Sequence, residues 1–326
     1  MRKCLMAVTL AIIALFSILL PVYALASNDE SQGQNVTSKI DFDRGPVFYA
    51  VMKTLTQGGP VKDDLVDRSL ITYTKLDGYN DKFSRQIRIG YIEKLVDSGV
   101  YHIASSGLLE FGPQQSGDSS SSVILQVVRK YATMRTALLW DNFNYRGHES
   151  YVDIPSSMPL SAGTDFNVYM HHLTEPNGYW IESGVGRVSW SSYPVLYTYT
   201  TYVGLWNDVD IPSGISRAIR LFIDIPSNGN AQMYAYDTYS GLSAYDEQEV
   251  VNLNQRADCG QEEASSTDTW TNTSAVTQRD NILKNSSGTW IYWNDAVSTR
   301  FTTDTYMYQN NGIWDNKRWI STWCSR

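Results

Sequence analysis

Cysteine, histidine and positive charge are the scarce features of this chain. Three cysteines and four histidines occur in 326 residues. No CxxC pair is present, which argues against a zinc site built on cysteines. No HExxH, G-x-S-x-G or P-loop pattern occurs either, so no metal set, cofactor or nucleotide is expected from motifs. Triads are defined by geometry rather than by motif, but with so few histidines a serine hydrolase has no support in the sequence. Lys and Arg total 26 against 34 Asp and Glu, for a formal charge of −8. Nucleic-acid binders present basic surfaces, so an acidic balance argues for no nucleic acid as partner.

Long apolar runs are also lacking, with one exception. Leu5 to Leu20 is almost wholly apolar, with Arg2 and Lys3 before it and Ala24-Leu25-Ala26 after it. That order is the pattern of a secretory signal, with cleavage expected before Ser27. Residues 1–26 are therefore read as a signal peptide and the mature chain as secreted, with no stable membrane span after cleavage. Residues 27–40 are polar and aperiodic and read as a disordered linker. Cleavage leaves Cys259 and Cys324, and two cysteines in an exported chain lead us to expect a disulfide tying the C-terminal tail to the body. The sequons at Asn35, Asn272 and Asn285 matter only in a host that glycosylates.

Aromatic residues are plentiful, at 13% with 22 tyrosines. They gather in runs that also carry β-branched residues, which suits half-buried strands. From Tyr179 to Tyr239 the chain reads YWIESGVGRVSW, YTYTTYVGLW, RAIRLFIDIP and AQMYAYDTYSG, each closed by Gly, Pro, Asn or Ser. These are consecutive antiparallel strands with tight turns. Arg217 to Ile225 alternates cleanly, and Ser227-Asn228-Gly229-Asn230 is the best hairpin turn in the chain. Val195 to Trp206 reads as one strand, Asn207 to Gly214 as a loop, and Val250 to Ala257 as a further strand. Upstream, Asp41 to Gln57 has helical spacing and stops at Gly58-Gly59-Pro60, and Gln86 to Tyr91 reads as a strand. Pro113 to Ser122 is a low-complexity break. The expected architecture is all-β: an antiparallel β-sandwich of jelly-roll type over residues 141–326, with a mixed α/β region over 41–140.

Two short matches give the chain a family resemblance. Trp180-Ile181-Glu182-Ser183-Gly184-Val185 resembles the strand of glutamic peptidases in which an apolar pair precedes a Gln, a small residue, Gly and Val. Gly260-Gln261-Glu262-Glu263 resembles their second acid-bearing strand. The resemblance covers roughly Gly147 to Trp293 and implies a concanavalin-like β-sandwich whose concave face carries the site. In that family a Gln and a Glu act together on water and the oxyanion. Glu182 stands where the family has Gln, and a carboxylate donates a hydrogen bond only when protonated. Two acids could still form an acid–base pair if their pKa values are pushed apart, with activity rising below about pH 5. The same arrangement would suit a glycosidase.

The catalytic candidates are thus Glu182 with Glu262 or Glu263. On a strand Glu262 and Glu263 face opposite ways, so at most one meets Glu182; as a solvated loop beside Cys259, neither would. Gly184 and Gly186 share the face of Glu182 and would leave room for a ligand. Trp180, Tyr197, Tyr199, Tyr234 and Tyr236 are the candidate ligand-binding residues, an aromatic groove for sugar rings or a peptide, or else sandwich core. Asp141, Asn142, Asn144 and His148, and separately Asp208 and Asp210, read as acidic or polar turns with too few oxygens for calcium. His171 and His172 are adjacent and face opposite ways on a strand, so they cannot share one ion there. Two function classes follow: a secreted module binding an extracellular glycan or peptide on its aromatic face, or an acid hydrolase using paired carboxylates.

Overall fold

The computed structural model describes residues 45–56, 66–72, 81–112, 127–136, 144–294, 297 and 299–326. The expected signal peptide and linker, the Pro113–Ser122 break and the Asp141–Asn142 pair lie outside the described residues.

Among the described residues there are two helices and nineteen strands. The helices are α1 (Gly45–Thr56) and α2 (Ile89–Asp97). The strands of the N-terminal region are β1 (Val66–Thr72), β2 (Asp81–Arg88), β3 (Tyr101–Ile103), β4 (Leu109–Phe111) and β5 (Val128–Thr136). The central strands are β6 (Tyr145–Ile154), β7 (Thr164–Thr174), β8 (Trp180–Val188), β9 (Pro194–Thr200), β10 (Leu205–Asp210), β11 (Arg217–Asp224) and β12 (Asn230–Asp237). The rest are β13 (Ser243–Glu249), β14 (Arg256–Ser265), β15 (Val276–Asn285), β16 (Trp290–Tyr292), β17 (Thr299–Thr303), β18 (Met307–Trp314) and β19 (Lys317–Cys324). The first sheet has nine strands in the order β1-β2-β10-β9-β8-β7-β14-β5-β17, and the second runs β13-β12-β11-β6-β15-β19-β18 with β16 beside β15. Their pairings are antiparallel throughout, and the two sheets make the expected sandwich. Strands β1, β2 and β5 come from the region before residue 141 and lie in the first sheet.

Alternation places the core. In β11, Ile219, Leu221 and Ile223 are buried and the residues between them half-buried. They meet Tyr169, Val185 and Leu196 from the first sheet in one apolar cluster, and Leu173, Ile181 and Cys259 in another. The inner face of the first sheet therefore carries Ile181, Ser183 and Val185, and its outer face carries Trp180, Glu182 and Gly184. The Ser227–Asn230 turn joins β11 to β12, with Gly229 at φ 83° and its N–H donating to Pro226 O at 3.1 Å.

Several boundaries differ from the sequence reading. The run Val195 to Trp206 is two strands, broken at Thr201–Gly204, and Asn207 to Asp210 belongs to β10 rather than to a loop. Gly204 takes φ 58°, a turn conformation that favours glycine. Helix α2 begins where Gln86–Tyr91 reads as continuing strand. Val250 to Arg256 is mostly connection, and the strand β14 follows it, buried almost throughout.

The expected disulfide is absent: Cys259 and Cys324 are both free and buried. Cys259 points into the core between the sheets. Cys324 sits beside Ala132, Trp270 and Met307, and its thiol bonds with Glu263. Glu263 is four residues from Cys259 along β14 on the same face, roughly 13 Å at strand spacing. Bridged Cα atoms lie within about 7 Å, so the two sulfurs belong to different neighbourhoods. Burial pushes the Cys259 thiol far above its ordinary range, and burial together with Glu263 pushes Cys324 up to about 12. We expect a thiol reagent to label Cys259 and Cys324 only after denaturation; rapid labelling of either in the native protein, or a peptide in its digest that joins them by a disulfide, would contradict this.

Candidate functional site

The outer face of the first sheet carries buried polar side chains, Glu182, His172, Asp258 and Glu262, among largely apolar ones. Glu182 lies mid-strand in β8 and is fully buried. Tyr197, from the neighbouring β9, donates its hydroxyl to Glu182 Oε1 at 2.5 Å, and Trp180 donates Nε1–H to Oε2 at 3.2 Å. Across the other neighbour, β7, the residue level with Glu182 is His172, and level with His172 on β14 is Asp258. His172 Nε2 and Asp258 Oδ2 are 2.8 Å apart. Arg256 Nε donates to the same Oδ2 at 2.9 Å, and Arg135 Nε lies 3.5 Å from Oδ1. A single row across four strands thus reads Glu182, His172, Asp258, Arg135.

Burial alone would raise the Asp258 pKa. Arg256, Arg135 and His172 outweigh it and hold this carboxyl well below the usual carboxylate range. Asp258 is therefore a fixed anion, and its hydrogen bond fixes the orientation of the His172 imidazole.

The structure does not bring together the carboxylate pair expected from sequence. Glu262 shares the outer face, but it lies four residues further along β14 than Asp258, level with Gly186 rather than with Glu182. That offset is roughly 13 Å along the strands and about 10 Å across them, too far for two carboxyls to work on one bond. Tyr131 donates to Glu262 Oε1 at 3.1 Å. Glu263 is on the inner face, where Thr271 N donates to it and burial raises its pKa. Both are buried on a strand, not on a solvated loop. The glycines beside Glu182 also serve the protein rather than a ligand. A Cβ on Gly184 would lie 2.5 Å from the Tyr197 ring, and one on Gly186 would lie 2.4 Å from Asn167 O. Gly184→Ala should therefore push Tyr197 off Glu182 and cost roughly 1–3 kcal/mol in a denaturant titration; an unchanged midpoint would show that the ring gives way freely.

The aromatic groove divides. Trp180, Tyr197 and Tyr199 are together on the outer face with Trp206, and all four are buried. Tyr197 stacks on Trp206 at 4.4 Å between centroids. Helix α1 lies on them: Phe48 meets Tyr199 at 5.8 Å, Trp206 at 5.7 Å and Trp190 at 6.5 Å, while Tyr49 stacks on Phe166 at 6.3 Å. These rings are covered by the chain's own helix. Tyr234 and Tyr236 stack on each other in β12, on the second sheet, with Met233 and Ala235 turned to the core. They stand on the far side of the sandwich and share no surface with the other three.

The remaining polar candidates are structural. His148 is in β6, in the core, with Nε2 2.9 Å from Asn281 Oδ1. Asp208 accepts from Trp206 Nε1 at 2.8 Å and Trp190 Nε1 at 3.1 Å, and Asp210 from Ser191 Oγ at 2.7 Å. Among the described residues no cluster of three His, Cys, Asp or Glu side chains is placed to hold a metal ion.

In fold, the chain is similar to the glutamic peptidases. A crystal structure of scytalido-glutamic peptidase with a transition state analog inhibitor is 9% identical, with a TM-score of 0.44, over 61% of this chain and 100% of that one. SCP-B, a member of the Eqolisin family of peptidases in complex with a tripeptide, is likewise 9% identical, with a TM-score of 0.39, over 61% of this chain and 99% of that one. No family model matches the sequence, and no curated protein matches it.

What sequence reasoning missed is Asp258 and its contact with His172 beside Glu182. Asp258 sits four residues before Glu262 on the same side of the strand, a signal that period-two reading contains once β14 is known to be a strand. Which residue lies level with Glu182 depends on register, and no local pattern encodes it.

Proposed function

We propose that the chain is a hydrolase of glutamic-peptidase kind, with Glu182 as the group that takes the proton from the attacking water and returns it to the leaving nitrogen. The observation that carries this reading is the row itself: a buried carboxylate with two side-chain donors, beside a histidine locked to an ionised aspartate. Burial strengthens each of these interactions over its value in water. Water oxygen would add to the peptide carbonyl carbon, the C–N bond would break, and the proton would pass through Glu182 to the amine. His172, held by Asp258, supplies the second proton-carrying group that a lone carboxylate lacks. Trp180 and Tyr197 are engaged with Glu182 and Tyr199 with Phe48, so binding of a glycan or peptide by these rings themselves is less well supported; Glu182 is covered with them, so cleavage requires α1 to move aside.

The test is peptide cleavage by the intact chain from about pH 3 to about pH 7, against Glu182→Gln. Loss of a general acid–base group should lower the rate by about 100-fold or more while leaving the fold intact. No cleavage by the parent protein, or equal cleavage by the variant, would sink the reading.

A further inference from the structure

A cavity lies at one end of strands β2 and β10 of the first sheet, apart from the Glu182 row. Its volume is about 650 Å³, and β2, α2 and the turn between β9 and β10 line it. That size is ordinary for a site holding a small ligand. Gly90 and Gly204 bring the two walls together: Gly90 N donates to Gly204 O at 3.0 Å, and a Cβ on Gly90 would lie 2.3 Å from Val203 O.

The aromatic lining is built rather than incidental. Tyr179 and Tyr202 stack with centroids 5.0 Å apart and planes 19° from parallel. The Tyr202 hydroxyl donates to Glu175, a buried carboxylate that also accepts from Val251 N at 3.0 Å, Asn252 N at 2.9 Å and Asn252 Nδ2 at 3.0 Å. This anchor holds the pair as a rigid platform. Tyr179 keeps 46% of its surface exposed, and Tyr91, on α2, keeps 49%. Two cations, Arg88 and Lys94, share the cavity with them, and among the described residues neither makes an ion pair. The carboxyl in the lining is Glu93, which burial and Asp97 make harder to ionise. Gln86 adds an amide able both to donate and to accept.

Exposed tyrosine faces beside cations that pair with no carboxylate among the described residues describe a ligand with an apolar ring face and a negative charge. A neutral sugar would use the rings and ignore Arg88 and Lys94. A guanidinium matches a carboxylate in bidentate geometry, and an ammonium adds a point charge. We propose that this cavity binds an oligosaccharide containing uronic acid, with a pyranose ring on Tyr179 and its carboxylate held by Arg88 and Lys94. The site is independent of Glu182, so binding should persist in Glu182→Gln and the two readings can fail separately.

Titration calorimetry on the full chain tests this, with tetramers of galacturonic and of glucuronic acid, maltotetraose and tetraglutamate as probes. A uronic tetramer should bind, more tightly than maltotetraose and less tightly as salt rises. Arg88→Gln with Lys94→Gln should weaken it by about tenfold or more and remove the salt dependence. Tyr179→Ala should weaken it while the melting temperature holds. The proposal is overturned by no binding of either uronic tetramer, by equal affinity for maltotetraose, by an unchanged affinity in either variant, or by tetraglutamate binding as tightly as the saccharides.

Discussion

Replacing Asp258 by alanine is expected to lower folding stability by about 3–5 kcal/mol, measured by urea denaturation near neutral pH. The carboxylate is fully buried and sits among Arg256, Arg135 and His172. Its removal leaves the guanidinium groups facing each other in a low-dielectric site with their common anion gone. The Arg256 side chain is 20% exposed and Arg135 11%. Arg256 can partly swing to water, which places the expected loss toward the lower end of that range. Asp258→Asn should lose less, because an amide oxygen still accepts from the donors, but it cannot balance their charge. The linkage to pH has a definite sign. Asp258 has a folded pKa below its unfolded value of about 3.9, so its contribution is complete above that value. It declines as pH falls below the unfolded value and is gone below the still lower folded one. The row that holds His172 therefore stays charged and assembled in mild acid, where the proposed reaction is expected to run. A loss of less than about 1 kcal/mol for Asp258→Ala would mean that solvent reaches the cluster and that the row is not the dry site inferred for it.

The parts of this fold that were legible from sequence are those with one wet face. Strand β11 alternates buried and half-buried residues, and β12 follows the Asn-Gly turn, so both could be placed to within two residues. Strand β14 could not. Arg256, Asp258, Gln261, Glu262 and Glu263 make it look like a loop, yet nearly every residue is buried because β7 and β5 flank it and both faces are covered. Tertiary packing overrode a polar composition that a local reading takes for solvent exposure. The merging of β9 with β10 has a different cause. Thr201 to Gly204 offers one glycine as its turn signal, amid residues that favour strands. For the site, the position of Glu182 on a strand and the opposite facing of His171 and His172 both follow from the period of two. The partnership of Glu182 with His172 and Asp258 does not, since it rests on pairings between strands distant in sequence.

On acidification from about pH 7 to about pH 4.5, the protein should lose stability, and His171→Leu should reduce that loss. His148 and His171 are fully buried between the sheets, their rings 4.4 Å apart. Burial lowers the His148 pKa from 6.5 to about 4, against the raising effect of the Asn281 hydrogen bond. Burial, then His148 and His172, push His171 well below 6.5. Both rings are thus neutral when folded, and both charge on unfolding below pH 6.5. The unfolded chain binds more protons there, so stability is complete above the unfolded value and declines as pH falls toward the folded one. For His148 alone the full decline is about 3 kcal/mol. Asp246 works the other way: burial raises its pKa to about 6, so its protonation favours the fold in acid, but it is partly exposed and its share is smaller. Among the described residues neither ring nitrogen of His171 has a hydrogen-bond partner. A leucine there gives up no such bond, removes one buried titration and should leave neutral stability equal or higher. Denaturation of parent and variant at the two pH values decides the matter, and equal slopes would show that these histidines do not couple to folding. The same titration limits the proposed hydrolase from below. Its core tolerates acid only until the histidine pair takes up protons, so cleavage is to be sought above the pH at which the parent protein unfolds.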